Sequence, residues 1–225
     1  MRTITRSTES ILVALILSAC GGSGGGNPTS PSQPTPATYS GAFATGTRSG
    51  TITLVAGSPA TGSLNIAGSV VASLSGTYSA STSSFSMSGG GFTLAATVDA
   101  NNQLSGTLTG STAGTTGVVV GIAVASGKTN TTYCGTFSGT SAGTEDAVIV
   151  GSTVTALAVD TNGQGSVITG TVSGSTVTLS WKPLLSPGVY GVGTATGTIS
   201  GSTISGTWSA SQGEKGTFTA SSAGC

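Results

Sequence analysis

Ile168-Thr169-Gly170-Thr171-Val172-Ser173-Gly174-Ser175-Thr176-Val177-Thr178-Leu179-Ser180-Trp181 decides the fold. Apolar and hydroxyl side chains alternate at period two, and the alternation changes phase across Gly174-Ser175. A two-residue turn there pairs Val172 with Val177, Gly170 with Leu179 and Ile168 with Trp181. Glycine at the first loop position suits a type II′ turn, whose twist matches the flanking strands. All the apolar residues then share one face, as in a half-buried antiparallel sheet.

The same design recurs in Ala195–Trp208. A turn at Gly201-Ser202 pairs Ile199 with Ile204, Gly197 with Gly206 and Ala195 with Trp208. From Tyr39 onward no segment gathers helix formers at a 3.6 period, so the body is read as all-β, built of antiparallel hairpins. A small barrel or a sandwich would satisfy the pattern, with two related halves as a further possibility. Thr38-Tyr39-Ser40-Gly41-Ala42-Phe43 resembles Thr132-Tyr133-Cys134-Gly135-Thr136-Phe137, and the same offset aligns Leu74-Ser75-Gly76-Thr77 with Ile168-Thr169-Gly170-Thr171. Val98–Gln103 resembles Val159–Gln164 at another offset, which points to repeated copying of a short hairpin unit. Glycine recurs inside strands at Gly76, Gly106, Gly170 and Gly206. Sharp bending or room for a cross-strand aromatic would explain it; compositional drift is the alternative. Val118, Val120, Ile122 and Val124, with Val119 facing the other way, read as a central, covered strand.

The chain has 225 residues, of which only 5% are charged, against roughly 25% in ordinary soluble domains. Arg2, Arg6 and Glu9 belong to a leader; without them four basic and five acidic residues remain. Four dispersed cations cannot make the basic stripe that nucleic-acid binding requires, so no nucleic-acid partner is expected.

Residues 1–19 read as a signal peptide: Arg2 and Arg6 precede an apolar run from Ile11 to Leu17, far short of the ~20 residues that span a bilayer. Leu17-Ser18-Ala19-Cys20 resembles the lipobox of bacterial lipoproteins. That resemblance implies cleavage before Cys20 and attachment of palmitate-type acyl chains to it, making the lipid bilayer a partner. Each buried CH₂ contributes ~0.8 kcal/mol, so several chains hold firmly. Residues 20–37 follow as a tether, flexible where Gly-rich and extended where Pro28, Pro31, Pro34 and Pro36 recur. Gly21 after the cysteine resembles lipoproteins sent to the outer membrane, so the cell envelope, outer membrane favoured, is the expected location. Residues 38–127 and 128–225 are read as first and second β regions. Their short strands lack the outward apolar band and ~9–11-residue length of membrane-spanning strands.

Beyond Cys20, only Cys134 and Cys225 remain. Export places them in an oxidising compartment, and a disulfide between them is expected. It would join the first strand of the second half to the last residue, latching a barrel if those ends are neighbours.

There is no histidine, which removes the usual general base and metal ligand. The carboxylates beyond the leader, Asp99, Glu145, Asp146, Asp160 and Glu214, all read as turn residues. No catalytic residue, metal site or cofactor is assigned, and an enzyme is not expected. One loop breaks the pattern: between Trp181 and Tyr190, Leu184 and Leu185 stand flanked by prolines, a candidate apolar binding rim.

The Gly/Ser/Thr-rich body, with Tyr133-Cys134-Gly135-Thr136-Phe137 and Ile204-Ser205-Gly206-Thr207-Trp208, resembles the β-repeat bodies of transferrin-binding-type surface lipoproteins. The likeness is compositional and transfers no binding residue. The expected function is a membrane-anchored binding or structural module, with a protein, glycan or small-molecule partner. The alternatives are a lipocalin- or avidin-like small-ligand barrel, which needs an open aromatic-lined cavity, and a carboxylate-pair glycoside hydrolase.

Overall fold

Alternating strands with so few long polar stretches leave each hairpin one apolar face to bury, and two closed sheets accomplish that here. The computed structural model describes residues 37–45, 48–110, 116–184, 191–223 and 225. Cys20 and nearly all of the tether lie outside them, as do Leu185 and Tyr190. The described residues contain sixteen strands and no helix.

The first barrel comprises β1 (Thr38–Thr45), β2 (Arg48–Val55), β3 (Ala60–Ile66), β4 (Ser69–Ser79), β5 (Ser84–Gly89), β6 (Phe92–Val98), β7 (Gln103–Gly110) and β8 (Gly117–Val124). Each pairs with its sequence neighbour, and β1 pairs with β8 to close the ring. The second comprises β9 (Asn130–Gly139), β10 (Gly143–Val150), β11 (Thr153–Asp160), β12 (Gly165–Ser173), β13 (Thr176–Pro183), β14 (Gly193–Ser200), β15 (Thr203–Ala210) and β16 (Lys215–Ser221). It closes through β16 and β9 in the same up-and-down order. The fold is therefore two related eight-strand barrels, and the sandwich alternative is set aside. Full closure also leaves no edge strand exposed.

The hairpin registers read from the sequence hold. Val172 faces Val177, Gly170 faces Leu179 and Ile168 faces Trp181 across β12 and β13. Ile199, Gly197 and Ala195 face Ile204, Gly206 and Trp208 across β14 and β15. Gly174 and Gly201 have φ of 59° and 58°, and Ser175 and Ser202 are not among the positive-φ residues. This is the pattern of a type II′ turn.

All four strand glycines, Gly76, Gly106, Gly170 and Gly206, lie where a Cβ would collide with a neighbouring strand's backbone, and Gly206 alone of them also makes room for an aromatic ring. A Cβ on Gly206 would collide with the Thr196 carbonyl and with the Phe218 ring. Close backbone approach and space for an aromatic thus coincide in one residue.

Eight strands enclose an interior just wide enough for side chains. In the first barrel Tyr39, Phe43, Ile52, Leu54, Leu64, Phe85, Leu94 and Leu108 fill it, each at most 2% exposed. In the second, Tyr133, Ile149, Val154, Val177 and Ile204 form a cluster with Phe218 and Ala220.

The two barrels form one compact unit. Outward-facing Ala42 and Ala44 of β1 pack against outward-facing Leu157 and Val159 of β11, flanked by Val118, Val120, Val167 and Leu184. This accounts for the apolar β8: Val119 points into the first core while Val118 and Val120 meet the second barrel. Polar contacts complete the seam. Asn130 Nδ2 donates to Ser40 Oγ at 2.8 Å, and Ser49 Oγ donates to Thr144 Oγ1 at 3.0 Å.

The predicted disulfide joins Cys134 to Cys225, with Cα atoms 5.4 Å apart. Cys134 lies on β9 opposite Ser221 of β16, so the bond fastens the chain end beside the strand pair that closes the second barrel.

Candidate functional site at the mouth of the second barrel

Trp181 lies near the end of β13 and Trp208 near the end of β15, both far from their Gly-Ser turns, so the two indoles reach the same end of the barrel. Trp181 faces Gly193 of β14, and Trp208 faces Gly216 of β16. A Cβ at either glycine would strike the indole. Each tryptophan therefore lies across a bare strand position that only glycine keeps open. Trp208 is fixed further by donating Nε1–H to the Ser138 carbonyl at 3.2 Å, and by an edge-on contact with Phe137, ring centroids 6.2 Å apart.

These rings border a cavity of about 80 Å³ whose lining includes Phe137, Trp181, Trp208 and Phe218. Glu145, Asp160 and Glu214 line it as well. The expectation that all carboxylates sit in turns is corrected here. Glu145 and Asp146 are both in β10, on opposite faces of the strand. Charged residues are rare in a half-buried strand because each needs somewhere to put its carboxylate. Glu145 has the cavity, and Asp146 has the seam with the first barrel.

The remaining acids differ in their commitments. Asp160 Oδ1 accepts the backbone N–H groups of Asn162 and Gln164, at 2.9 and 2.8 Å. Asp99 does the same for Asn101 and Gln103 between β6 and β7. The two resembling segments are one turn device used at different places in the two barrels, and both aspartates are structural. Glu214 is unlike them: its Oε2 is buried and has no hydrogen-bond partner. Glu145 is half-buried, and the surface it retains faces the cavity. Burial pushes its carboxyl up to about 8, and the neighbouring Asp146 charge adds to the rise.

Asp146 is buried at the seam. Burial raises it to about 6, against the nearby Ser49 hydroxyl, which lowers it. Its carboxylate and the sulfurs of Cys134 and Cys225 lie within 4.8 Å of one another. The sulfurs are bonded to each other, so this group offers no thiolate pair to a metal.

The candidate rim is divided. Trp181 faces the cavity, whereas Leu184 packs on Gly165 and into the seam between the barrels. Those two residues are not brought together; Leu185 and Tyr190 lie outside the described residues. Sequence reasoning missed Phe137, Trp208, Glu145 and Glu214 as mouth residues. The register of the two hairpins does place Trp181 and Trp208 at one end, and that signal was available.

No helix among the described residues is long and apolar enough to cross a membrane. No protein-family model matches the chain, and no curated protein matches its sequence. Among solved structures it is similar to a mutant of the vaccine antigen Transferrin Binding Protein B from Haemophilus parasuis Hp5. The identity is 10% over 84% of this chain and 76% of that one, with a TM-score of 0.33. Likeness at that level carries no functional argument.

Proposed function

We propose that this chain is a lipid-anchored protein of the bacterial cell envelope that works as a non-catalytic binding module, with the mouth of the second barrel as its binding site. The Leu17–Cys20 lipobox and the Gly/Pro-rich stretch after it support the anchoring and the tether. One observation carries the binding site: one barrel is filled, while its relative keeps an aromatic-walled, carboxylate-bearing cavity at one end. A cavity of about 80 Å³ suits a small ligand or a protruding group, and is too small for the deep cargo of a lipocalin-like barrel.

The protein's two tryptophans both line the mouth, so intrinsic fluorescence reports directly on its occupancy. Titrating the full chain in detergent micelles with a small ammonium, a small carboxylate and a neutral polyol should give a saturable emission change with at least one class. A flat response to all three removes the binding mouth. The anchoring half is tested by palmitate labelling and fractionation; Cys20→Ser should abolish label and release the protein from membranes.

Glu145 supports a second reading, since a carboxyl held protonated near neutral pH is what a glycosidase acid requires. Its partner would be Glu214. Turnover of chromogenic glycosides that is lost in E145Q would favour that reading over binding alone.

A further inference from the structure

We propose that the mouth of the second barrel takes a small primary alkylammonium ion, its N–H groups donating to Glu145 and Glu214 and its chain lying between Trp181 and Trp208. The inference rests on the binding-mouth reading and adds the chemistry of the ligand.

The unpartnered Oε2 of Glu214 is the first argument. A buried acceptor without a donor is costly, and native structures rarely leave one. This oxygen is closed off from the cavity as the side chain lies, so a ligand reaches it only when Glu214, which lines the cavity, turns toward the opening. Glu145 also faces the cavity, and neither carboxylate has a hydrogen bond or ion pair with a described residue. Asp160 is occupied by the backbone of its own turn. Among the described residues, no lysine or arginine lines the cavity. Lys182 and Lys215 are exposed on strand positions that face outward. The site therefore gathers acidic side chains with no basic side chain of a described residue beside them.

The walls select among ligands that would satisfy such a site. Indole faces attract cations more strongly than any other side-chain ring. A carboxylate ligand would be repelled. A neutral polyol could donate a hydrogen bond but would leave the charge uncompensated. A quaternary ammonium neutralises charge but has no N–H for the orphaned oxygen. A primary ammonium meets all the requirements, and a cavity of about 80 Å³ limits it to a short chain.

Proton balance gives a signature that simple packing would not. Below about 8 Glu145 carries a proton, and binding a cation beside it displaces that proton to solvent while the ammonium keeps its own. The titratable groups around Glu145 are Asp160 and Glu214 in the same lining and Asp146, adjacent on β10 but on the strand's other face. Affinity should rise toward tenfold per pH unit between pH 6 and 8 and level off above.

The experiment follows tryptophan emission of the full chain in micelles, at constant ionic strength, during titration with n-butylammonium chloride. Sodium acetate, n-butanol and glucose are the comparison solutes. Saturation with n-butylammonium alone is expected, weakened about tenfold or more in E214Q, with the stated pH dependence in the unaltered protein. Should glucose, n-butanol or acetate saturate and n-butylammonium not, the ammonium assignment falls while the binding mouth stands. Should none saturate, both fall. An affinity unchanged in E214Q and flat in pH also overturns the assignment. The pH series needs no variant, so a misfolded E214Q leaves the test intact.

Discussion

The two barrels share strand number, order and closure, yet bury different things. Apart from Leu157, which lies on the outer face of the second barrel, the largest fully buried side chains all belong to the first barrel's core. Asp99 is the first barrel's single acidic residue, and it caps a turn. The second barrel has four acidic residues, two of them bordering a cavity without a committed partner, and it has the disulfide. One copy is stabilised by packing. The other gives up packing at one end, and a covalent latch beside its closing strands offsets part of that loss.

Breaking the latch should have the largest effect. Cys134 and Cys225 are 91 residues apart, and in the chain-entropy model a loop of that size stabilises by roughly 4 to 5 kcal/mol. The double variant Cys134→Ser, Cys225→Ser should lose about that much in urea unfolding, and hydrogen exchange should place the loss in the second barrel. Equal deprotection of β1–β8 would show that the barrels do not differ in this respect.

Core truncation sharpens the contrast. Leu94 is fully buried among large neighbours, and Leu94→Ala should cost about 3 kcal/mol or more through lost transfer energy and the cavity left behind. Leu179 already borders open space, so Leu179→Ala should cost roughly half as much. Comparable losses would mean that the mouth is as tightly packed as the first core.

How much of this was legible follows from range. Period-two alternation and a Gly-Ser turn are local, and they set the registers of β12 with β13 and β14 with β15 residue by residue. The offset shared by Tyr39 with Tyr133 and by Leu74 with Ile168 matches first strands to first and fourth to fourth, so the duplication could be read as well. The Cys134–Cys225 pairing followed from elimination. Glu145 could not be placed, because Gly143-Thr144-Glu145-Asp146 has a turn's composition. Only ring closure shows that one acid meets a cavity and the other meets the first barrel. Glu214 is in a turn as expected, but its orphaned oxygen depends on the side chains around it.

The buried acids make the second barrel the pH-sensitive partner. Both Glu145 and Asp146 are raised on folding, so the folded protein holds their protons more tightly than the unfolded chain. That contribution is complete below about pH 4 and is lost as pH rises, through about 6 for Asp146 and about 8 for Glu145. The melting temperature should therefore fall by roughly 5 °C or more between pH 5 and pH 9, with the upper part of the fall absent in E145Q. A melting temperature that rises over that range would contradict the burial of these groups.

The smallest effect concerns the vacancy itself. Sites built for a ligand commonly cost the fold stability, because their polar groups await a partner. Glu214→Met removes a buried acceptor that nothing in the protein satisfies, so stability in the absence of ligand should rise by about 1 kcal/mol. The same variant should lose the n-butylammonium response. A turn acid with no role at the mouth would show the reverse, a small loss of stability with binding intact. Stability and binding moving in opposite directions at one residue would mark the second barrel's end as built to be filled from outside, where the first barrel is filled by its own side chains.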